Sequence, residues 1–164
     1  KTRKKISVYA DKNTKEYLFN TFSFCFNDSA SYPSTLMMND LKNIHVFNLK
    51  KNKVKIRAIK VQHGKINSIA YIINSKCAYA PDVNKIYSKD YKYFKKLKYL
   101  VIDCLRYNYH PSHFCLDDVL KFVSIVKPER TILTNLNIEI DYNEIKKNLP
   151  KNIIPAFDGM SFLF

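Results

Sequence analysis

The run Tyr99-Leu100-Val101-Ile102-Asp103 constrains the fold more than any other segment, because it is continuously apolar and then ends in a carboxylate. A strand that is apolar on both faces is typical of a sheet covered by helices on both sides. Thr131 to Thr134 is a second strand of this kind, and helices are predicted at about Leu116 to Val126 and at Tyr142 to Asn148. The alternation of strands and helices predicts an α/β fold.

Apolar and polar residues alternate in the middle of the chain, which predicts strands with one solvent-exposed face. Ile44 to Leu49 and Val54 to Val61 have this period of two. Ile69 to Ile73 and Cys77 to Ala80 predict a hairpin, although its turn, Asn74-Ser75-Lys76, lacks the favoured glycine. We therefore expect antiparallel strands within the same sheet.

The remaining segments carry local predictions. Ile6 to Ala10 is expected to be a short buried strand, followed by a helix to about Phe22 that is capped by Asp11 or Asn13. Three further predictions are a loop at residues 27–39, a short helix after Asp82, and a final strand at Met160–Phe164. No repeat or linker interrupts the chain, so we expect residues 1–164 to form a single domain.

The charge balance is strongly basic, with 28 Lys and Arg against 14 Asp and Glu and a net charge of +14. This balance leaves nucleic-acid binding open. Lysine supplies nearly all of it, however, as in proteins from AT-rich bacterial genomes, and arginine is the better residue for reading phosphates. Four scattered cysteines favour reduced thiols and a cytoplasmic protein. No stretch is long and apolar enough to predict a membrane span.

The chain has only two glycines. A tight turn at each glycine could direct the side chain of the residue just before it. These residues are His63 and Asp158. His63 ends a predicted strand, so its ring could point into a cleft as a metal ligand or catalytic group, or it could lie in an ordinary surface turn. Asp82 also follows an apolar strand, where it could serve a site or cap a helix.

The segment from Asp103 to Phe114 holds a carboxylate, an arginine and two histidines, an unusual density of reactive groups for a structural loop. Two structural alternatives remain open here. Ser112 or His113 could cap the helix that follows, and Asp103 could form a salt bridge with Arg106.

Together these segments resemble the metallo-β-lactamase superfamily, in particular its cyclic phosphodiesterase branch of the carbon-phosphorus lyase pathway. The most specific match is Leu100-Val101-Ile102-Asp103-Cys104-Leu105-Arg106 followed by His110-Pro111-Ser112-His113. Val61-Gln62-His63-Gly64, Tyr79-Ala80-Pro81-Asp82-Val83 and Pro155-Ala156-Phe157-Asp158-Gly159-Met160 resemble further motifs of this branch. The resemblance implies the C-terminal half of an αββα sandwich, with a mixed sheet and flanking helices.

The resemblance also implies roles for individual residues. Two Zn²⁺ or Mn²⁺ ions would clamp a phosphodiester and lower the pKa of a bound water. His63 would bind one ion, Asp82 would bridge both, and His113 would orient the substrate or donate a proton to the leaving oxygen. Three further residues would hold these groups in position without binding a metal ion themselves: Asp103, Arg106 and His110.

Two departures from the family pattern predict a degenerate site. The histidine-rich motif that supplies most of the ligands belongs upstream of residue 1, and the last ligand histidine is replaced by Asn135 or Asn137. We therefore expect a truncated hydrolase that binds metal weakly or not at all and is inactive alone.

The degenerate site leads to an expectation about partners, and two other functions remain open. A separately encoded N-terminal half could reassemble with this chain, or a homodimer could cover the apolar sheet face that the missing half leaves exposed. Restoring an Asn137→His variant together with that half should raise activity. The alternative function is a non-catalytic basic module that binds nucleic acid. A third possibility, a transfer-RNA 3′-processing nuclease of the same superfamily, would prefer RNA.

Overall fold

The computed structural model describes residues 4–29, 32–49 and 52–164. The chain divides into two compact units, residues 1–42 and 43–164. The expectation of one domain over the whole chain stays a prediction.

The first unit contains a short parallel pair of strands with two helices between them. Strand β1 (Ile6–Ala10) pairs with β2 (Leu36–Asp40), and α1 (Lys12–Thr21) and α2 (Ser23–Phe26) connect them. The side chain of Asp11 accepts a hydrogen bond from the Thr14 amide at 2.8 Å, so Asp11 is the predicted cap.

Two predictions for the first unit need correction. Residues 27–39 are not a loop throughout, because the apolar residues from Leu36 onward pair with β1 as a strand. Strand β1 is buried only at its carboxyl end, where Ala10 is buried, whereas Ile6 is 67% exposed.

The second unit is built on a mixed sheet of seven strands that follow one another in sequence order. The strands are β3 (Ile44–Leu49), β4 (Asn52–His63), β5 (Ile66–Ile73), β6 (Cys77–Ala80), β7 (Tyr99–Asp103), β8 (Arg130–Thr134) and β9 (Ile153–Pro155). Strands β3 to β6 are antiparallel and β6 to β9 are parallel. Helices α3 (Leu116–Val126) and α4 (Tyr142–Asn148) occupy the predicted positions. The predicted α/β class with a mixed sheet and flanking helices is confirmed.

The turn between β5 and β6 forms the predicted hairpin without glycine. Asn74 and Ser75 adopt left-handed backbone angles, with φ of 51° and 55°, and the Lys76 amide donates to the Ile73 carbonyl at 3.0 Å. Asparagine tolerates this conformation better than most residues, which explains why the turn closes.

Three local predictions in the second unit are wrong. The short helix begins at Ser88, as a 3-10 helix (Ser88–Tyr93), and not directly after Asp82. The last described strand is β9, so residues 160–164 do not join the sheet, and the ring of Phe162 stacks on Tyr99 with centroids 4.4 Å apart. Helix α3 is capped by Cys115, whose thiol donates to Asp118 at 3.1 Å, and not by Ser112 or His113.

The core lies between the sheet and the helices that cover it. Phe94, Leu100 and Ile102 are fully buried, and Phe94 meets Phe122 of α3 with ring centroids 5.5 Å apart. Tight packing of β7 into this core places the end of that strand at a defined position.

Candidate active site

The carboxyl ends of three parallel strands bring the polar residues of the second unit together. Ala80 of β6 is in register with Ile102 of β7, and Asp103 of β7 with Thr134 of β8. Asp82 therefore lies just beyond the end of β6, and Asn135 just beyond the end of β8. This edge is where α/β sheets place their sites.

His63 reaches this edge from the end of β4 because of the turn at Gly64. Gly64 has φ of +62°, and a Cβ at this position would lie 2.9 Å from the Cβ of Ser112, so only glycine lets the two segments meet. Nδ1 of His63 lies 2.7 Å from the carbonyl oxygen of Ser112. Since a carbonyl can only accept, Nδ1 carries the proton and Nε2 is left as an electron-pair donor.

Next to His63, the buried Asp103 pairs with the half-buried His113. Nδ1 of His113 lies 2.6 Å from Oδ2 of Asp103, and the same oxygen accepts a hydrogen bond from the Val83 amide at 3.0 Å. The other oxygen, Oδ1, is buried without a partner among the described residues. Burial raises the pKa of Asp103 to about 6, although the hydrogen bonds from Val83 and His113 oppose that rise.

His63, Asp82 and His113 converge into a group that could hold a metal ion. One potential ligand atom from each lies within 4.8 Å of the others, and the two imidazole rings meet edge to face with centroids 4.6 Å apart. Two imidazoles and a carboxylate are a donor set that suits zinc. The residues present therefore fit one ion; a second ion would need ligands from outside this group.

Arg106 and His110 lie in the loop after β7 and outside the three-residue group, although the ring of His110 lies beside that of His113 with centroids 5.2 Å apart. The guanidinium of Arg106 donates to the carbonyls of Asn108 and Tyr109, at 3.3 and 2.7 Å, so the salt bridge with Asp103 is not formed. Nδ1 of His110 lies 3.2 Å from the hydroxyl of Ser112. The pKa of His110 is lowered by partial desolvation and by the positive charge of Arg106.

The two candidate degenerate positions differ in their surroundings. The amide nitrogen of Asn135 donates to the Pro81 carbonyl at 2.6 Å and lies 3.4 Å from Oδ1 of Asp82. The side-chain oxygen of Asn137 instead accepts from the Glu139 amide at 3.0 Å. Asn135 is therefore the position next to Asp82.

Sequence analysis missed residues that act through their backbone. The Val83 amide and the Ser112 carbonyl orient the site, yet any residue type could supply these atoms. Asn84 holds the Gly64 amide through its side chain at 2.9 Å; its position between Asp82 and the next helix was the only available signal.

Comparison with known proteins places this chain in a family. A family model described as the β-lactamase superfamily domain matches residues 1–134, and the chain belongs to that family. The resemblance to the metallo-β-lactamase superfamily is confirmed. A comparison with curated proteins finds no match.

Solved structures of the metallo-β-lactamase fold match nearly the whole chain. A diphosphatase from the PhnP family is 24% identical, with a TM-score of 0.83 over 96% of this chain and 57% of that chain. Zn²⁺-bound PqqB from Methylobacterium extorquens is 11% identical, with a TM-score of 0.74 over 99% of this chain and 66% of that chain. Unliganded yeast PDE1 is 15% identical, with a TM-score of 0.64 over 97% and 60%. The chain thus spans less than two thirds of the length of each of these structures.

These findings establish a hydrolase fold of the metallo-β-lactamase superfamily. No helix in the described part of the chain is long and apolar enough to cross a membrane. The assignment of individual site residues and the cytoplasmic location stay predictions.

Proposed function

We propose that this chain contributes one side of a metal-dependent phosphodiesterase site, with His63 and Asp82 as metal ligands and His113 as the proton donor to the leaving oxygen. The observation that carries the proposal is the convergence of these three side chains within 4.8 Å, directly in front of the buried carboxylate of Asp103.

Each residue has a chemical task in this proposal. A bound ion would lower the pKa of a water so that hydroxide exists at neutral pH. Asp103 accepts a hydrogen bond from Nδ1 of His113, so Nε2 would face the substrate and could give its proton to the departing oxygen. Ser112 fixes the tautomer of His63 through its carbonyl, which keeps Nε2 of that ring available.

The phosphodiester substrate is supported by the residue pattern and by the neighbours. The segments around Asp103 and His113 resemble the cyclic phosphodiesterase branch, and two neighbours are named as a diphosphatase and as PDE1. Catalytic zinc needs about three protein ligands, and the proposal assigns two of them to this chain. We infer that these 164 residues do not turn over substrate alone and that a histidine-rich segment from outside them completes the site.

Metal binding is the first test. Zn²⁺ and Mn²⁺ affinity is measured by titration calorimetry after chelation, for the chain and for its His63→Ala and Asp82→Ala variants. We expect weak binding of one ion that both variants abolish. The control is His45→Ala on β3, outside the cluster, which should bind like the unmodified chain. Binding that survives in His63→Ala would contradict the proposed ligand set.

Turnover is the second test. The chain alone should leave a chromogenic phosphodiester intact in the presence of either ion. Addition of a histidine-rich N-terminal half from a superfamily member should produce metal-dependent hydrolysis that His113→Ala abolishes. Hydrolysis by the chain alone would disprove its inactivity, and equal hydrolysis by His113→Ala would disprove the role of that residue.

A further inference from the structure

We propose that Asn135 is a positioning residue whose carboxamide ties the end of β8 to the end of β6 and holds Asp82 in place without a metal ion. The proposal rests on the proposed function, because it concerns the orientation of a residue assigned there as a ligand.

The strand order means that the contact between Asn135 and Pro81 connects two strands that are not neighbours in the sheet. Strand β7 lies between β6 and β8, so a side chain that joins the ends of β6 and β8 must pass over the end of β7. Asn135 makes this connection with its 2.6 Å hydrogen bond to the carbonyl of Pro81. The residue at the end of β7 is Asp103, and Asn135 lies near enough to contribute to lowering its pKa against the larger effect of burial.

The second N–H group of the carboxamide points to Asp82. Its nitrogen lies 3.4 Å from Oδ1 of that carboxylate, a long hydrogen bond that favours one orientation of the side chain. The contact therefore limits the orientations that the Asp82 carboxylate can adopt.

The backbone of Asn135 supports a side-chain role. Its φ is 61°, a left-handed conformation that glycine adopts without cost and asparagine at a modest one. A residue needed only for the turn could be glycine. The Asn135→Gly variant therefore removes the carboxamide while it keeps or relaxes the backbone.

The test compares Asn135→Gly with Asn137→Ala, a variant of the nearby asparagine whose side chain contacts the Glu139 amide instead. Zn²⁺ affinity is measured by calorimetry. Loss of a group that orients a ligand typically weakens metal affinity by about 10- to 100-fold, and we expect a loss of this size for Asn135→Gly and no change for Asn137→Ala.

A metal-free measurement separates this proposal from the proposed function. The Val83 amide donates to Asp103 beneath the Asn135 contact, so its hydrogen exchange reports on opening of this edge. We expect exchange at Val83 to be roughly tenfold faster in Asn135→Gly, the equivalent of one hydrogen bond, and unchanged in Asn137→Ala.

The combined outcomes are distinct. If hydrogen exchange at the Val83 amide is unchanged in Asn135→Gly, Asn135 does not tie the ends of β6 and β8 together. If that exchange is faster but zinc affinity is unchanged, Asn135 does not orient Asp82. If the unmodified chain binds no zinc but Asn135→Gly exchanges faster, the tie stands and the metal part of the proposed function fails.

Discussion

Nδ1 of His113 lies 2.6 Å from a carboxylate oxygen of Asp103 that the fold removes completely from water. One oxygen of this carboxylate has two hydrogen-bond donors and the other has none among the described residues. Such an arrangement orients the imidazole, and it also makes the charged form of Asp103 costly.

The free energy of unfolding should depend on the protonation of Asp103. Its pKa is raised from 3.8 to about 6 in the folded chain, so the folded state binds more protons than the unfolded state between these values. Asp103 therefore contributes most to the free energy of unfolding below about pH 4. That contribution falls as the pH rises through 6, by roughly 3 kcal/mol at most. Denaturant titrations from pH 4 to 8 with chelator present measure this slope.

The control for that slope is Asp103→Asn, which cannot ionise. The variant should lose the fall in stability between pH 4 and pH 6 that the unmodified chain shows. A fall of the same size in Asp103→Asn would assign it to another group.

The tautomer of His63 provides a second prediction. Because Nδ1 of His63 faces the Ser112 carbonyl at 2.7 Å, the neutral ring should carry its proton on Nδ1. The nitrogen chemical shifts of the imidazole rings measure this directly in metal-free protein. A proton on Nε2 of neutral His63 would show that this contact does not exist in solution.

Substitution of Gly64 should lower the free energy of unfolding more than substitution of Gly159. Both glycines have positive φ, 62° and 86°, but a Cβ at Gly64 would approach Ser112 within 2.9 Å while Gly159 faces open space. We expect Gly64→Ala to reduce the free energy of unfolding by about 2 to 3 kcal/mol and Gly159→Ala by about 1 kcal/mol. Equal losses in denaturant unfolding would mean that only the backbone angle matters.

Helix α3 offers a matched pair of core and surface substitutions. Phe122 is 4% exposed and contacts three aromatic rings, those of Tyr91, Phe94 and Phe114, whereas Ile125 is 50% exposed. Phe122→Ala should cost about 3 to 5 kcal/mol because it leaves a cavity, and Ile125→Ala less than about 1 kcal/mol. Chemical denaturation of both variants measures the difference.

The elements that sequence analysis predicted well have strong local signals. Strand β7 is an uninterrupted apolar run, and helices α3 and α4 carry amphipathic patterns that stop before a proline. The prediction failed at Leu36, which pairs with β1 as a strand, and at Phe162, which lies outside the sheet with its ring stacked on Tyr99. Both outcomes depend on neighbours distant in sequence.

The candidate site divides in the same way. The sequence by itself determined that four polar residues lie at the ends of strands or in the segments that follow them, and its motifs indicated the superfamily. These residues are His63, Asp82, Asp103 and His113. Only the tertiary structure decided that His113 pairs with Asp103 instead of capping α3, that Arg106 turns to its own loop, and that Asn135 reaches across β7 to Asp82. The physical reason is that strand periodicity sets which segments form, whereas hydrogen-bond partners depend on which strand ends the sheet places side by side.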